Sequence, residues 1–301
     1  MAVGSKMKLH WHERFLIMSL KALGGCSLKT LYRLAWSLDQ CLRPFPLKFK
    51  KTIATNLARC FPDLPPDAQA RLQREAEFHT FMRMFEMPFF WFHPKMTALP
   101  LQTFNEEAFE QDVAKGKGVI VLVPHLGCWE LVNARVAPRF PSVSLYKPAK
   151  KAYQDILIRE ARERYGTEML PTNIAGVKNF VRALKSGKCA GILADHDPGD
   201  NGGVMVPFFG IPANTSTLVT KLAQNSGAAV YFALPERLPR GEGFHLHYLK
   251  APETLFNPDL LDAATAMNDM IATLIKRCPA QYEWSYKRFR RTPWQGQLFY
   301  E

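Results

Sequence analysis

Close cysteine pairs are missing from this sequence. The six cysteines, Cys26, Cys41, Cys60, Cys128, Cys189 and Cys278, lie far apart, and no C-x-x-C spacing occurs that would hold a metal or form a dithiol. They read as reduced thiols in a chain that faces the cytoplasm. A long apolar run is missing too. The best stretch, residues 15–28 (FLIMSLKALGGCSL), carries Lys21 in its middle and Gly24 and Gly25 after it, whereas a spanning helix needs about 20 mostly apolar residues. Lys21 also argues against a cleaved signal peptide, although LGGC mimics a lipoprotein site. The stretch fits an amphipathic helix lying on a membrane, flanked by Lys6, Lys8, Arg14, Lys29 and Arg33, or an ordinary core helix. Internal repeats and low-complexity tracts are absent. Acidic residues are scarce: 27 Asp and Glu stand against 39 Lys and Arg, a formal net charge of +12. That imbalance points to an anionic partner, whether nucleic acid, an anionic membrane surface, or an acidic ligand or carrier protein.

What is present divides near residue 95. Before it the pattern is helical. LKFKKTIATNLARCF sets apolar positions beside a basic face. PPDAQARLQREAEF opens a helix, with Pro66 at an early position and Asp67 and Glu75 in the N-terminal half. Phe78, Phe81, Met82, Phe85 and Phe89 follow as one helical stripe, which suits a core or the wall of a hydrocarbon pocket, and Pro88 is expected to kink or end the helix. After Pro100 strands and helices alternate. GVIVLVPH, SVSLYKP, CAGILADHD and AVYFALPER read as strands, FHLHYLKAP alternates as an exposed strand does, and helical patterns lie between them. The fold class expected is α/β, a central sheet flanked by helices, with a helical, membrane-associating N-terminal region. The regions are 1–95 and an α/β core at 96–301, together forming one continuous domain.

Residues in such sheets act beyond the carboxyl ends of the strands. His125 and Asp195 both stand there. In VIVLVPHLGCWE, a helix beginning near Gly127 puts Glu130 in its first turns, and a carboxylate there can accept from one imidazole nitrogen of His125. The other nitrogen then faces the cleft as a general base. Cys128 pairs with His125 as a nucleophile or, more simply, fills a buried helix turn. In YQDILIREARERYG, Arg159 and Arg162 share a helix face with Arg164 nearby. This is a salt-bridged solvated helix or a set of guanidinium forks for phosphate. Asp195, His196, Asp197 and Asp200 crowd a loop with Gly199, Gly202 and Gly203. It lacks the closing acid of a calcium loop, so no metal is assigned. The rest of that segment reads as a glycine-rich loop and then a polar helix start at residues 215–217. The C-terminal QYEWSYKRFRRTPWQGQLFYE interleaves cations with aromatics. Lys287, Arg288, Arg290 and Arg291 beside Trp284, Tyr286, Phe289 and Trp294 suit either nucleic acid or an anionic interface.

Five of these blocks, in this order, resemble the bacterial late acyltransferases of lipid A biosynthesis, the lauroyl/myristoyl transferase family. TIATNLARCFPDLP resembles its N-terminal block, PHLGCWE its histidine–four residues–acid motif, and REARERYG its R-x-R segment. ADHDPGDNGGVMVPFFGIPANTST resembles its acidic loop and QYEWSYKRFRRTP its ending. Many members begin with a clear spanning helix, and here that segment is weak. The resemblance implies transfer of a fatty acyl group from acyl carrier protein to a hydroxyl of a phosphorylated lipid A precursor, without a cofactor. It implies an enzyme on the cytoplasmic face of the inner membrane, peripheral or singly anchored at its N-terminus. His125 and Glu130 would be catalytic, and Arg162, Arg164, Asp195, Asp197, Lys287, Arg288 and Arg290 would bind substrate. A glycerolipid or other glycolipid acyltransferase with the same dyad is the alternative. A basic nucleic-acid-binding protein is a distant one, and it leaves the strand ending in His125 and Glu130 unexplained, so nucleic acid is not expected as a partner.

Overall fold

The structure is a computed structural model that describes residues 10–94, 99–200, 202–294 and 297–300. Lys6, Lys8 and the expected boundary at residue 95 lie outside the described residues. Four helices come first: α1 (Trp11–Gly24), α2 (Leu28–Leu42), α3 (Lys48–Cys60) and α4 (Pro66–Phe92). Ser27 caps α2 by accepting from the Thr30 N–H, and Pro66 and Asp67 open α4 as expected. The Met/Phe stripe of α4 is packed core: Phe81, Met82 and Phe89 are buried with Leu31 and Ala35 of α2. Pro88 does not end the helix, which runs on to Phe92. Burial of Phe89, Phe90 and Trp91 outweighs the one backbone donor that proline removes. Gly24 lets α1 approach α4 at this point, because a Cβ there would lie 2.5 Å from the Pro88 carbonyl oxygen. The outer side of this helical region is apolar. Trp11, Phe15 and Met18 of α1 and Leu34 and Trp36 of α2 are exposed. No helix among the described residues is long and apolar enough to cross a membrane.

The remainder is built on a seven-stranded, mostly parallel sheet. Its strands are β1 (Leu101–Phe104), β2 (Val119–Leu122), β3 (Ser142–Tyr146), β4 (Thr167–Pro171), β5 (Cys189–Ile192), β8 (Ala229–Arg237) and β9 (Phe244–Lys250). In between, β6 (Gly203–Phe208) and β7 (Ile211–Ser216) form a separate hairpin. The sheet order is β1-β9-β8-β2-β5-β3-β4, and only the β8–β9 pair is antiparallel. Helices α5 (Glu106–Ala114), α6 (Glu130–Val136), α7 (Ala152–Glu163), α8 (Ile174–Lys185), α9 (Leu218–Ser226) and α10 (Leu260–Arg277) flank it. β2 is buried throughout, and its alternation feeds two cores. Ile120 and Leu122 pack with Phe180 of α8 and Leu274 of α10, while Val119 and Val121 pack with Phe109 of α5 and Val132 of α6. β9 does alternate, but it lies between β1 and β8 rather than at an edge. The hairpin corrects the loop reading of VMVPFFGIPANTST. It turns through Phe209 and Gly210, both at positive φ (53° and 75°), and Thr215 is strand rather than helix start.

A buried charge joins α4 to the sheet. Arg237, at the end of β8, donates from Nε to Glu86 of α4 at 2.7 Å and from Nη2 to the Gly127 carbonyl at 3.1 Å, and its Nη1 meets His79 Nδ1 at 3.0 Å. Both side chains of the ion pair are 2% exposed or less. Gly127 passes so close to β8 that a Cβ would fall 1.9 Å from the Pro235 carbonyl oxygen, and its φ is +61°. The loop leaving β2 is therefore fixed from beneath. Glu86→Ala, which strands the guanidinium, should cost about 3–5 kcal/mol in urea unfolding. Asp67→Ala, which breaks an exposed i,i+4 pair with Arg71, should cost about 1 kcal/mol or less.

Candidate active site

His125 and Asp195 are far apart in sequence and meet because β2 and β5 are parallel neighbours. Their register pairs Leu122 with Ile192. His125 stands three residues past Leu122, and Asp195 three past Ile192, so both leave the sheet at one level. Asp195 is buried and takes hold of His125 twice. Its Oδ2 accepts from the His125 backbone N–H at 2.9 Å, and its Oδ1 lies 2.8 Å from Nδ1. With Nδ1–H donated to the carboxylate, Nε2 carries the lone pair. The imidazole remains reachable, with a side chain 15% exposed. Burial pulls the His125 pKa down, but the Asp195 carboxylate outweighs it and the net direction is upward from 6.5. Asp195 is itself held well below the usual carboxylate range, since the partnership with His125 overcomes its burial.

The C-terminal segment closes the other side. Leu126 bridges to Tyr282, the Glu283 N–H donates to the His125 carbonyl at 3.0 Å, and the Gly127 N–H donates to the Gln281 carbonyl at 3.1 Å. Glu283 thereby lies 3.3 Å from His196 Nε2 and 3.3 Å from Arg83 of α4. Burial raises the Glu283 pKa, but His196 and Arg83 outweigh it and hold the carboxyl below its ordinary value. His196 is stacked between two rings, 3.7 Å from His125 at 1° and 3.8 Å from Tyr286 at 14°. Trp129 meets His125 edge-on at 5.0 Å. His125, His196 and Glu283 are close enough to suggest a metal triad. The parallel rings oppose that use. An ion shared by two stacked imidazoles would lie well out of both ring planes, where neither lone pair points. The arrangement instead suits proton transfer at His125 with a carboxylate on each side.

The expected hydrogen bond from His125 to Glu130 is not what the structure shows. Glu130, the first residue of α6, is buried, and both its oxygens accept from Arg162: Nη2 to Oε1 at 2.6 Å, and Nε to each oxygen at 3.1 Å. The pair clamps α6 to α7. Arg164 points elsewhere, donating to the Trp91 carbonyl at 2.6 Å and the His93 carbonyl at 3.1 Å, where α4 ends. Asp197 is a latch, accepting from Gly199 N–H and Asn214 (both 2.8 Å), Arg290 (2.6 Å) and Arg291 (2.9 Å). Arg288 is buried and donates to the Asn214 carbonyl at 2.6 Å and Thr215 Oγ1 at 2.8 Å, so it holds the hairpin and does not face solvent. Trp284 and Phe289 are buried with it. Of the C-terminal cations expected at an interface, Lys287, Arg290 and Arg291 are exposed. Cys128 is buried. Burial, then the charge of Glu86, pushes its thiol well above the ordinary value, which suits packing and not nucleophilic attack. Arg83 and Glu283 escaped the sequence reading because α4 and the C-terminal segment show no spacing that relates them to β2.

The sequence model of the bacterial lipid A biosynthesis acyltransferases matches residues 6–291. The lipid A biosynthesis lauroyltransferase of Escherichia coli K12 is 29% identical over 268 residues, 87% of this chain and 86% of the relative. The palmitoleoyltransferase of lipid A biosynthesis from the same organism is 28% identical over 256 residues, 83% and 82% of the two chains. A phosphatidylinositol mannoside acyltransferase of Mycobacterium tuberculosis is 28% identical over 144 residues, 45% of this chain and 44% of the relative. The geometry itself is open to titration. Followed by NMR, His125 should lose its proton above pH 6.5. Asp195→Asn should lower that midpoint, and Glu130→Gln should move it less.

Proposed function

The chain belongs to the bacterial lipid A biosynthesis acyltransferase family, and from that premise we propose that it moves a fatty acyl group from acyl carrier protein to a hydroxyl of a lipid A precursor, with His125 as general base. The observation that carries the reading is the Asp195 carboxylate on His125 Nδ1, which leaves Nε2 as the proton acceptor. Nε2 takes the proton of the acceptor hydroxyl as its oxygen attacks the thioester carbonyl. The C–O bond forms, the C–S bond breaks, and the imidazolium returns its proton to the carrier thiolate. Asp195 stabilises the imidazolium directly, and Glu283 adds a second negative charge nearby. Glu130 acts one step back: with Arg162 it fixes α6, the helix that begins directly after Trp129 and bounds the loop. The dyad in this reading is therefore His125 with Asp195, and Glu130 is a positioning residue.

The partners follow from charge and exposure. An acidic carrier protein and a phosphorylated acceptor both suit a chain of net charge +12. Lys29, Arg33 and Arg240 line one cleft with Tyr32 and Trp36, next to the exposed apolar side of α1 and α2. Cations beside exposed aromatics support peripheral binding to the anionic cytoplasmic face of the inner membrane.

Two measurements test the reading. Folded His125→Ala should lose about 10²–10⁴-fold in transfer rate. Because the base must be neutral, the wild-type rate should rise with pH through a midpoint above 6.5, and Asp195→Asn should shift that limb to lower pH while lowering the plateau. Normal transfer by His125→Ala removes the mechanism. The acceptor is tested by offering a tetra- or penta-acylated lipid A precursor, lysophosphatidate and glycerol 3-phosphate side by side with acyl-loaded carrier. The lipid A precursor should win. A tenfold preference for a glycerolipid, about 1.4 kcal/mol, would reassign the acceptor and leave the base in place.

A further inference from the structure

Away from the His125 site, three side chains converge on the far side of the sheet's antiparallel pair. Glu236 of β8 and His245 of β9 are direct cross-strand partners, and His247 follows on the same face of β9. Glu236 Oε2 lies 3.5 Å from His247 Nε2 and 3.9 Å from His245 Nδ1. One ligand atom from each residue lies within 4.8 Å of the others. The two carboxylate contacts are longer than ordinary hydrogen bonds, which cluster near about 2.9 Å. They approach the spacing of neighbouring donors in a tetrahedral zinc shell, about 3.3 Å for nitrogen and oxygen ligands at about 2.0 Å.

Ring orientation separates this group from the stacked pair beside His125. The His245 and His247 planes stand at 85° with centroids 6.1 Å apart, so the two rings are not stacked and a shared ion is not forced out of both planes. Phe104 of β1 holds the rings in place, stacked on His247 at 4.4 Å and edge-on to His245 at 5.3 Å. The three side chains are 18–31% exposed, within reach of an ion from solution. Arg277, at the end of α10, is the facing cation that binding would have to offset.

We propose that Glu236, His245 and His247 form a binding site for one divalent transition-metal ion of the zinc type, with solvent completing the shell. Two imidazoles and one carboxylate suit such an ion and not magnesium or calcium, which prefer all-oxygen shells. The site is structural in character. Glu236 stands between Pro235, whose carbonyl accepts from the Cys128 N–H at 2.9 Å, and Arg237, which holds Gly127. An ion there stiffens β8, the strand against which the His125 loop is braced, without touching substrate.

The test titrates the chelator-treated full chain with Zn²⁺, read by calorimetry and thermal unfolding. One ion per chain should bind and raise the unfolding midpoint. His245→Asn and His247→Gln should each weaken binding at least tenfold and remove the midpoint shift, whereas His196→Asn should bind as the wild type does. Co²⁺ added to the wild type, a readout that needs no variant, should give the visible absorption of a low-coordinate nitrogen and oxygen site. Undiminished binding in both β9 variants, loss in His196→Asn instead, the absence of that Co²⁺ spectrum, or no binding at about 0.1 mM Zn²⁺ would each overturn the proposal.

Discussion

The Arg237 guanidinium is the constraint on which the rest of the site depends. A cation this deep is tolerable only with a full set of acceptors. Glu86, His79 and the Gly127 carbonyl supply them from α4 and from the loop after β2. The same residue's backbone N–H donates to Gln281 Oε1 and its carbonyl accepts from Gln281 Nε2. The side chain and backbone of one residue thus fasten α4, β8, the His125 loop and the C-terminal segment to each other. His79 must be neutral to accept from Arg237, and burial together with the nearby Arg237 and Arg83 cations drives its pKa well down. The position of His125 is set less by its own neighbours in sequence than by this charge behind it.

The elements were largely legible in the sequence, and their adjacency was not. Buried strands with His125 and Asp195 at their carboxyl ends could be read from β-branched runs and from where polar residues follow them. The chain, however, goes from β2 to β3 and β4 before β5 enters the sheet between β2 and β3. No local pattern announces that insertion, and it is what brings the two residues into register. The partner of Glu130 was hidden for a related reason. Spacing places it on the first turn of α6, but the direction of its side chain depends on α7 packing alongside, where Arg162 takes both oxygens. The hairpin at residues 203–216 was hidden by its glycines and prolines, and by a turn that puts Phe209 at positive φ.

Charge also divides differently in three dimensions. The basic C-terminal run read as one exposed strip, but buried Trp284 and Phe289 draw Arg288 inside with them. There it donates to two acceptors of the hairpin, the Asn214 carbonyl and the Thr215 hydroxyl. Arg164 likewise satisfies the open carbonyls at the end of α4, a need that every helix terminus creates. Several residues that look like anion receptors in sequence are therefore structural donors. Among the cations that stay exposed are Arg290 and Arg291 beside Asp197, and Lys29 and Arg33 in the cleft of α2.

The apolar outer side of α1 and α2 bears on how catalysis is counted. An enzyme held at a lipid surface by Trp11, Phe15 and Trp36 meets a lipid acceptor at its mole fraction in the leaflet, while an acyl carrier protein arrives from the water. On the proposed reading the two substrates belong to different phases. Turnover then follows surface dilution: inert lipid added at constant acceptor slows the reaction although no bulk concentration of acceptor has changed. On that reading the exposed helices set the dimensionality of the search as well as the place of the enzyme.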